Sequence, residues 1–200
     1  NHDMAGLAQL STEGAKVFAR EIAQYCKAYN LDGVNYDDEY SLYPDLDNPS
    51  FATPSAQAGA RLCYETKQVM PDKLVTVFAY GNMYGVESVD GVDVDEWIDI
   101  VVPNYGSAAY SLGQMTKWKC AGLAAEFNLH GGGSLDSYGA QKILSGGYGW
   151  HMGFAANPNN YRTIFQRLSG AYELYGSKLK DPTIFYKKNE TTPSKYPEDL

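Results

Sequence analysis

The chain has 200 residues, of which 44% are hydrophobic and 20% are charged, so it is long enough for one folded domain with a buried core. Its net charge of −8 excludes a basic surface for nucleic acid or for an anionic membrane. No apolar run approaches the ~20 residues of a transmembrane helix. The three cysteines are too widely spaced for a zinc site or a disulfide framework.

The first part of the chain predicts a helix followed by a strand. Residues 11–29 have apolar side chains at helical spacing, with Ser11 or Thr12 as the cap. Asn30 is suited to end this helix in the left-handed conformation. Residues 31–37 then predict the first strand, which is followed by a loop rich in proline, aspartate and asparagine.

The rest of the chain continues the alternation. Thr53 and Pro54 predict the start of a second helix, with Thr53 as its cap and Pro54 at its first position. Leu62, Cys63 and Val69 mark the side of this helix that we expect to be buried. Apolar runs predict four more strands, and Asn157-Pro158 predicts the start of a final helix; the strands are residues 73–80, 98–105, 120–127 and 148–154.

Buried strands separated by helices and by connections of helical length predict an α/β fold with a parallel sheet and right-handed crossovers. Two architectures fit this pattern. One is an open five-stranded sheet, and the other is the later part of an eight-stranded α/β barrel, which usually needs about 250 residues.

Polar side chains are concentrated at the end of the first predicted strand. Asn35, Asp37 and Glu39 alternate along the chain, so in a strand they share one face. Neighbouring carboxylates repel each other and raise the pKa of at least one of them, which keeps a general acid protonated. The carboxyl end of a parallel strand is also where α/β barrels place catalytic groups. The alternative interpretation is a solvated acidic turn.

The run LDGVNYDDEY over residues 31–40 resembles the DGxDxDxE signature of glycoside hydrolase family 18. Its Asp-Asp-Glu-Tyr form is similar to that of the bacterial endo-β-N-acetylglucosaminidases that cut the chitobiose core of N-glycans. NHDMAG, MPDKLVTVFAYGN, WIDIVVPNYG and GGYGWHMGF resemble the third, fifth, sixth and eighth barrel strands of that family. The resemblance covers about residues 1–176, and residues 177–200 form a polar C-terminal tail.

The resemblance implies a (β/α)8 TIM barrel that in this chain lacks its first two strands and most of the third. Residues 1–176 would then be a partial family 18 catalytic barrel. We expect residues 1–200 alone not to form a stable soluble monomer, because an incomplete barrel exposes sheet edges and an apolar interior. Roughly 80 preceding residues, or another chain, would complete the barrel.

The resemblance also implies a mechanism without a metal or organic cofactor. Glu39 would protonate the glycosidic oxygen between two N-acetylglucosamines and later act as base toward water. The acetamide oxygen of the substrate would attack C1 and form an oxazolinium ion, with retention of configuration. Asp37 would accept the acetamide N–H, and Tyr105 would orient its carbonyl group.

Several other residues are substrate-binding candidates through the same resemblance. Asn35 stands where the family signature has its second aspartate, so it keeps a hydrogen bond to Asp37 but removes a charge. The remaining candidates are a histidine and three aromatic residues: His2, Tyr80, Trp150 and Phe154. His2 would lie beside Glu39. Trp150 and Phe154 are equally suited to form a platform for the sugar or to pack in the core.

A second acidic motif, DGVDVDEW over residues 90–97, imitates the signature. Trp97 stands where the acid is needed, and Glu96 has the wrong parity to join Asp93 and Asp95 on one face. We therefore predict a surface turn before the strand at residues 98–105.

The predicted partner is an N-linked glycan or another N-acetylglucosamine-containing oligosaccharide, with neither nucleic acid nor membrane insertion. The predicted location is secreted, at the cell surface or periplasmic, because N-glycan substrates lie outside bacterial cells. Two alternatives remain open at this point, a glycan-binding barrel without catalysis and a chitinase.

Overall fold

The computed structural model describes residues 6–39, 41, 47–104, 115–126 and 137–154. Helices and parallel strands alternate through much of this part of the chain, as the sequence predicts, with a short antiparallel hairpin in place of a helix at one connection. The helices are α1 (Thr12–Ala28), α2 (Ala56–Val69) and α3 (Ser137–Gly146). The strands are β1 (Gly33–Tyr36), β2 (Leu74–Ala79), β3 (Ser88–Val89), β4 (Val92–Asp93), β5 (Ile100–Pro103), β6 (Ala121–Glu126) and β7 (Trp150–Phe154).

The five longer strands are parallel and lie side by side in chain order. β1 pairs with β2, and β2 pairs with β5, so that Asn35 lies opposite Thr76 and Thr76 opposite Ile100. A parallel bridge between Val101 and Cys120 connects β5 to the start of β6, and β6 pairs with β7. The predicted α/β fold with a parallel arrangement of strands is therefore confirmed for the described residues.

Helix α1 begins and ends as its sequence predicts. The Ser11 hydroxyl accepts a hydrogen bond from the Gly14 backbone N–H at 3.1 Å, so Ser11 rather than Thr12 is the cap. Asn30 has a φ of 52°, the left-handed conformation that lets the chain turn toward β1.

The predicted start of α2 is wrong by two residues. Ser55, not Thr53, is the cap, and its hydroxyl accepts a hydrogen bond from the Ala58 N–H at 3.1 Å. The Ser55 N–H itself donates to the Ala8 carbonyl at 2.9 Å, which holds the chain extended up to the cap. The predicted buried side is confirmed for Leu62 and Cys63, whereas Val69 is 40% exposed, so that prediction is wrong. Val69 is the last residue of the helix, and at this end the buried apolar side chain is that of Met70, the residue that caps it.

The connection between β2 and β5 is a hairpin rather than an α-helix. Its strands β3 and β4 are joined by Asp90 and Gly91, which have φ values of 51° and 79°. The turn at Asp90 and Gly91 confirms the predicted turn before β5. A single helical turn (Val94–Glu96) follows it. The next residue, Trp97, is 1% exposed and belongs to the core.

The largest buried side chains lie between the strands and the helices that cover them. Tyr36 is an example, since its hydroxyl forms a 2.7 Å hydrogen bond with that of Thr66 on α2. Burial raises the pKa of Tyr36, so this phenol stays protonated. The core also contains Leu62, Val75, Val77, Trp97, Ile98 and Val101.

Of the described helices, none has the length and apolar character that a membrane span requires.

Candidate active site

Exposure alternates along the chain from Asn35 to Glu39. Asn35 and Asp37 are exposed and Glu39 is half-buried, whereas Tyr36 and Asp38 are buried. The pattern agrees with the predicted face shared by Asn35, Asp37 and Glu39, and it continues past the end of β1 at Tyr36. The polar face therefore lies at the carboxyl edge of the parallel strands.

A hydrogen bond attaches this polar face to the neighbouring strand. The Thr76 hydroxyl on β2 donates to Asn35 Oδ1 at 2.8 Å, and the same hydroxyl lies 3.2 Å from the Val34 carbonyl. This hydrogen bond holds the Asn35 amide beside Thr76, the residue of β2 that lies opposite Asn35 in the strand register. Sequence reasoning missed Thr76, since strand register alone reveals which residue lies beside Asn35.

Gly81 supports the backbone of Glu39 from the side of β2. It has a φ of 54°, and a Cβ added there would lie 2.7 Å from the Asp38 carbonyl oxygen and 3.4 Å from Glu39 Cα. Only glycine meets both conditions without strain. Its place two residues after the end of β2 is the signal in the sequence that could have identified it.

Two aromatic candidates lie at the same edge of the strands as Glu39. Tyr80 follows β2 at its carboxyl end, is 37% exposed, and stacks on Phe78 with ring centres 6.2 Å apart. Phe154 is the last residue of β7 and is exposed. Both positions are open to a ligand, and their role in sugar binding stays a prediction.

Trp150 has a different setting, because it is the first residue of β7 and so lies at the amino end of that strand. Its ring is 5.8 Å from that of Trp118, which precedes β6. The structure therefore places Trp150 in an aromatic pair and not beside Tyr80 or Phe154. His2 and Tyr105 lie outside the described residues.

The imitation motif at residues 90–97 has structural roles. Asp95 accepts hydrogen bonds from the Thr116 N–H at 2.8 Å and from its hydroxyl at 3.0 Å. Asp90 forms a two-pronged ion pair with Arg61, both distances being 2.6 Å. These contacts support the prediction that the motif is not a second catalytic site. Among the described residues, no three histidine, cysteine or acidic side chains are grouped to hold a metal ion.

Comparison with known proteins begins with sequence. A scan of protein-family profiles gives no match. The chain is 40% identical to Endo-beta-N-acetylglucosaminidase F1 of Elizabethkingia meningoseptica in an alignment of 197 residues that covers 94% of this chain and 58% of that protein. It is 28% identical to Endo-beta-N-acetylglucosaminidase of Flavobacterium sp. (strain SK1022) in an alignment of 155 residues that covers 76% of this chain and 48% of that protein.

Two crystal structures of Bacteroides thetaiotamicron EndoBT-3987 match the whole chain, both with a TM-score of 0.88. The structure with Man5GlcNAc product is 69% identical, and the chain covers 47% of it. The structure in complex with Man9GlcNAc2Asn substrate is 68% identical, and the chain covers 51% of it. This chain is homologous to endo-β-N-acetylglucosaminidases.

The resemblance to endo-β-N-acetylglucosaminidases that the run at residues 31–40 indicates is thus confirmed. The chain spans about half the length of the relatives that it matches, from 47% to 58%. Its membership of glycoside hydrolase family 18 stays a prediction.

Proposed function

We propose that this chain is part of the catalytic domain of a family 18 endo-β-N-acetylglucosaminidase. The whole protein would hydrolyse the β-1,4 bond between the two core N-acetylglucosamines of N-glycans. The observation that most supports this proposal is the pair Asp37 and Glu39, which follows a parallel strand at its carboxyl edge. The pair occurs in a chain 68% identical to an enzyme crystallised with Man9GlcNAc2Asn substrate.

The proposed architecture is a (β/α)8 TIM barrel of which this chain holds the later strands. In an open doubly wound sheet the strand order reverses at a switch point. Here the order β1, β2, β5, β6, β7 follows the chain without a reversal, which is the order of a barrel. The first two strands and most of the third would come from sequence outside these residues.

The proposed mechanism uses the substrate's own acetamide group as nucleophile. Glu39 donates its proton to the glycosidic oxygen while the acetamide oxygen attacks C1, so an oxazolinium ion forms and the leaving sugar departs with the proton. Asp37 accepts the acetamide N–H and stabilises the positive charge. Glu39, now ionised, removes a proton from the water that opens the ion, and configuration at C1 is retained. Tyr105 orients the acetamide carbonyl.

The ligand of this site would be an N-linked glycan, with Tyr80 and Phe154 as contacts at the rim. Because glycoproteins are outside bacterial cells, we also propose that the whole protein is secreted or placed at the cell surface or in the periplasm.

The decisive experiment is incubation of the full-length protein with a high-mannose glycoprotein and, separately, with chitin oligomers, followed by mass spectrometry. We expect release of an oligosaccharide ending in one N-acetylglucosamine, with the other left on the protein. Shortened chitin oligomers would instead indicate a chitinase. Glycan binding without release from either substrate would indicate a binding protein and would contradict the proposal.

A further inference from the structure

Asp38 lies between Asp37 and Glu39 in the chain but is buried, whereas Asp37 is exposed and Glu39 is half-buried. Asp38 is 1% exposed, and its Oδ2 accepts a hydrogen bond from the Ala8 backbone N–H at 2.7 Å. The same oxygen accepts a hydrogen bond from the Ser41 hydroxyl. A buried carboxylate is tolerated only when such partners replace its water, so these contacts define where Asp38 lies.

The partners of Asp38 belong to segments that are themselves fixed. Ala8 lies in a helical turn (Leu7–Gln9) whose carbonyls accept backbone hydrogen bonds from the chain leading into α2. The Ser55 N–H donates to the Ala8 carbonyl at 2.9 Å, and the Ala52 N–H donates to the Gln9 carbonyl at 2.7 Å. Asp38 therefore connects the end of β1 to the cap of α2.

The backbone at this point has close neighbours on two sides. A Cβ added to Gly6 would lie 2.5 Å from Asp38 Oδ2, so the carboxylate fits against the bare backbone of that glycine. Gly81 approaches the Asp38 carbonyl from the side of β2, as described above. The peptide that precedes Glu39 is thus enclosed between two segments.

Asp38 lies beyond the part of the chain in which β1 pairs with β2. The last residue of β1 that pairs with β2 is Tyr36, opposite Val77. Beyond it, ladder hydrogen bonds no longer set the direction of the chain, and Glu39 is three residues further on. The side chain of Asp38 supplies the fixed contacts that the ladder does not.

We infer that Asp38 is a positioning residue for the general acid, in that its contacts to Ala8 and Ser41 hold the Glu39 backbone in the orientation that proton donation needs. The inference rests on the proposed role of Glu39. An error of about 1 Å in placing a catalytic group can reduce the rate about 10²-fold, so small shifts of this peptide matter.

The test compares Asp38→Ala with Asp38→Asn in the full-length protein. Because one oxygen of Asp38 accepts the hydrogen bonds from both Ala8 and Ser41, the amide oxygen of asparagine can accept both, whereas alanine accepts neither. We expect Asp38→Ala to lower kcat about 10- to 100-fold with KM changed less than about threefold. We expect Asp38→Asn to restore kcat to within about threefold of the wild type.

Asp99→Asn is the matched control for lost stability. Asp99 also accepts a backbone N–H, from Val75 at 2.7 Å, but it precedes β5 at the opposite edge of the sheet from Glu39. We expect it to lower Tm without changing kcat at a temperature where the protein is folded. If Asp38→Ala does not fold, Ser41→Ala removes one donor alone and should lower kcat severalfold at unchanged KM.

Three results would contradict the inference or its basis. Wild-type kcat in folded Asp38→Ala, or in Ser41→Ala where that variant replaces it, would show that the contacts do not position Glu39. Equal losses in Asp38→Ala and Asp38→Asn would show that the charge of Asp38 acts, and not its geometry. A wild-type protein that releases no glycan would overturn the proposed function itself, and the inference with it.

Discussion

Asn35 introduces an amide where the family signature has a carboxylate, and Thr76 holds that amide at 2.8 Å. We predict that Asn35→Asp moves the pH–rate profile toward higher pH. The reason is that a new negative charge two positions from Asp37 on the same face disfavours ionisation of the neighbouring carboxyl groups. The measurement is kcat/KM as a function of pH for both proteins. Superimposable profiles would show that position 35 is not coupled to the acidic pair.

Glu39 is the residue on which the proposed mechanism depends most. Glu39→Gln keeps the size of the side chain but removes its proton, so we predict a fall in turnover of about 10²–10⁴-fold with glycan affinity largely retained. Release of oligosaccharide and binding to a glycopeptide are measured separately.

Glu96→Gln is the matched control for this change. Glu96 belongs to the imitation motif and is exposed on the helical turn after β4. Turnover should therefore be unchanged in Glu96→Gln. A loss of turnover in Glu96→Gln comparable to that in Glu39→Gln would contradict the proposal that the first acidic motif, and not the second, is catalytic.

At the scale of the elements, a partly buried ion pair between Lys67 and Asp99 attaches α2 to the sheet. Asp99 accepts hydrogen bonds from Lys67 Nζ at 2.9 Å and from the Val75 N–H at 2.7 Å, and Lys67 also donates to the Lys73 carbonyl. We predict that Asp99→Asn lowers the free energy of unfolding by about 1–3 kcal/mol, since these hydrogen bonds involve a charged group. Denaturant titration of the full-length protein measures it.

Glu13→Gln is the control for that prediction, because its ion pair with Lys16 lies on the surface of α1. Water and salt screen such a pair, so its loss should leave the unfolding midpoint unchanged. Equal effects of the two substitutions would contradict the special role of Asp99.

Sequence predicted those elements whose signal is local. The apolar run that contains Val75 and Val77 indicates a buried strand without further information, and Ser11 and Asn30 specify the ends of α1. The start of α2 could not be found in this way, because Ser55 is held by a carbonyl 47 residues earlier in the chain, that of Ala8.

The site was partly predictable for the same reason. Alternation along β1 identifies the face of Asp37 and Glu39, whereas in the sequence Asp38 is one more acidic residue of the same run. Its burial is decided by Ala8 and Ser41, which local patterns do not associate with it. The strands β3 and β4 were missed because two residues are too short for any periodic signal.

At the scale of the whole molecule, large apolar side chains of β2 and β7 are left open to solvent. Leu74 is 43% exposed, Trp150 is 37% exposed and Phe154 is 52% exposed. We predict that residues 1–200 expressed alone associate or unfold without a cooperative transition, because such surfaces normally have a partner. Sedimentation and thermal unfolding are the measurements. A monodisperse monomer with one sharp transition would favour an open, self-sufficient sheet over a partial barrel.

The three tryptophans have different environments, so fluorescence and circular dichroism can follow two regions of the molecule without an added label. Trp97 is buried near β5, with its indole N–H donating to the Val92 carbonyl at 3.1 Å, so we expect its emission to be blue-shifted. Trp118 and Trp150 are exposed, and their ring centres are 5.8 Å apart, close enough to couple electronically. We therefore expect a couplet of one positive and one negative band in the circular dichroism spectrum. We expect the couplet to disappear when β6 separates from β7, and the blue-shifted emission to be lost when the β3–β4 hairpin leaves the core. Comparing the two signals during unfolding will therefore show which half of the chain opens first.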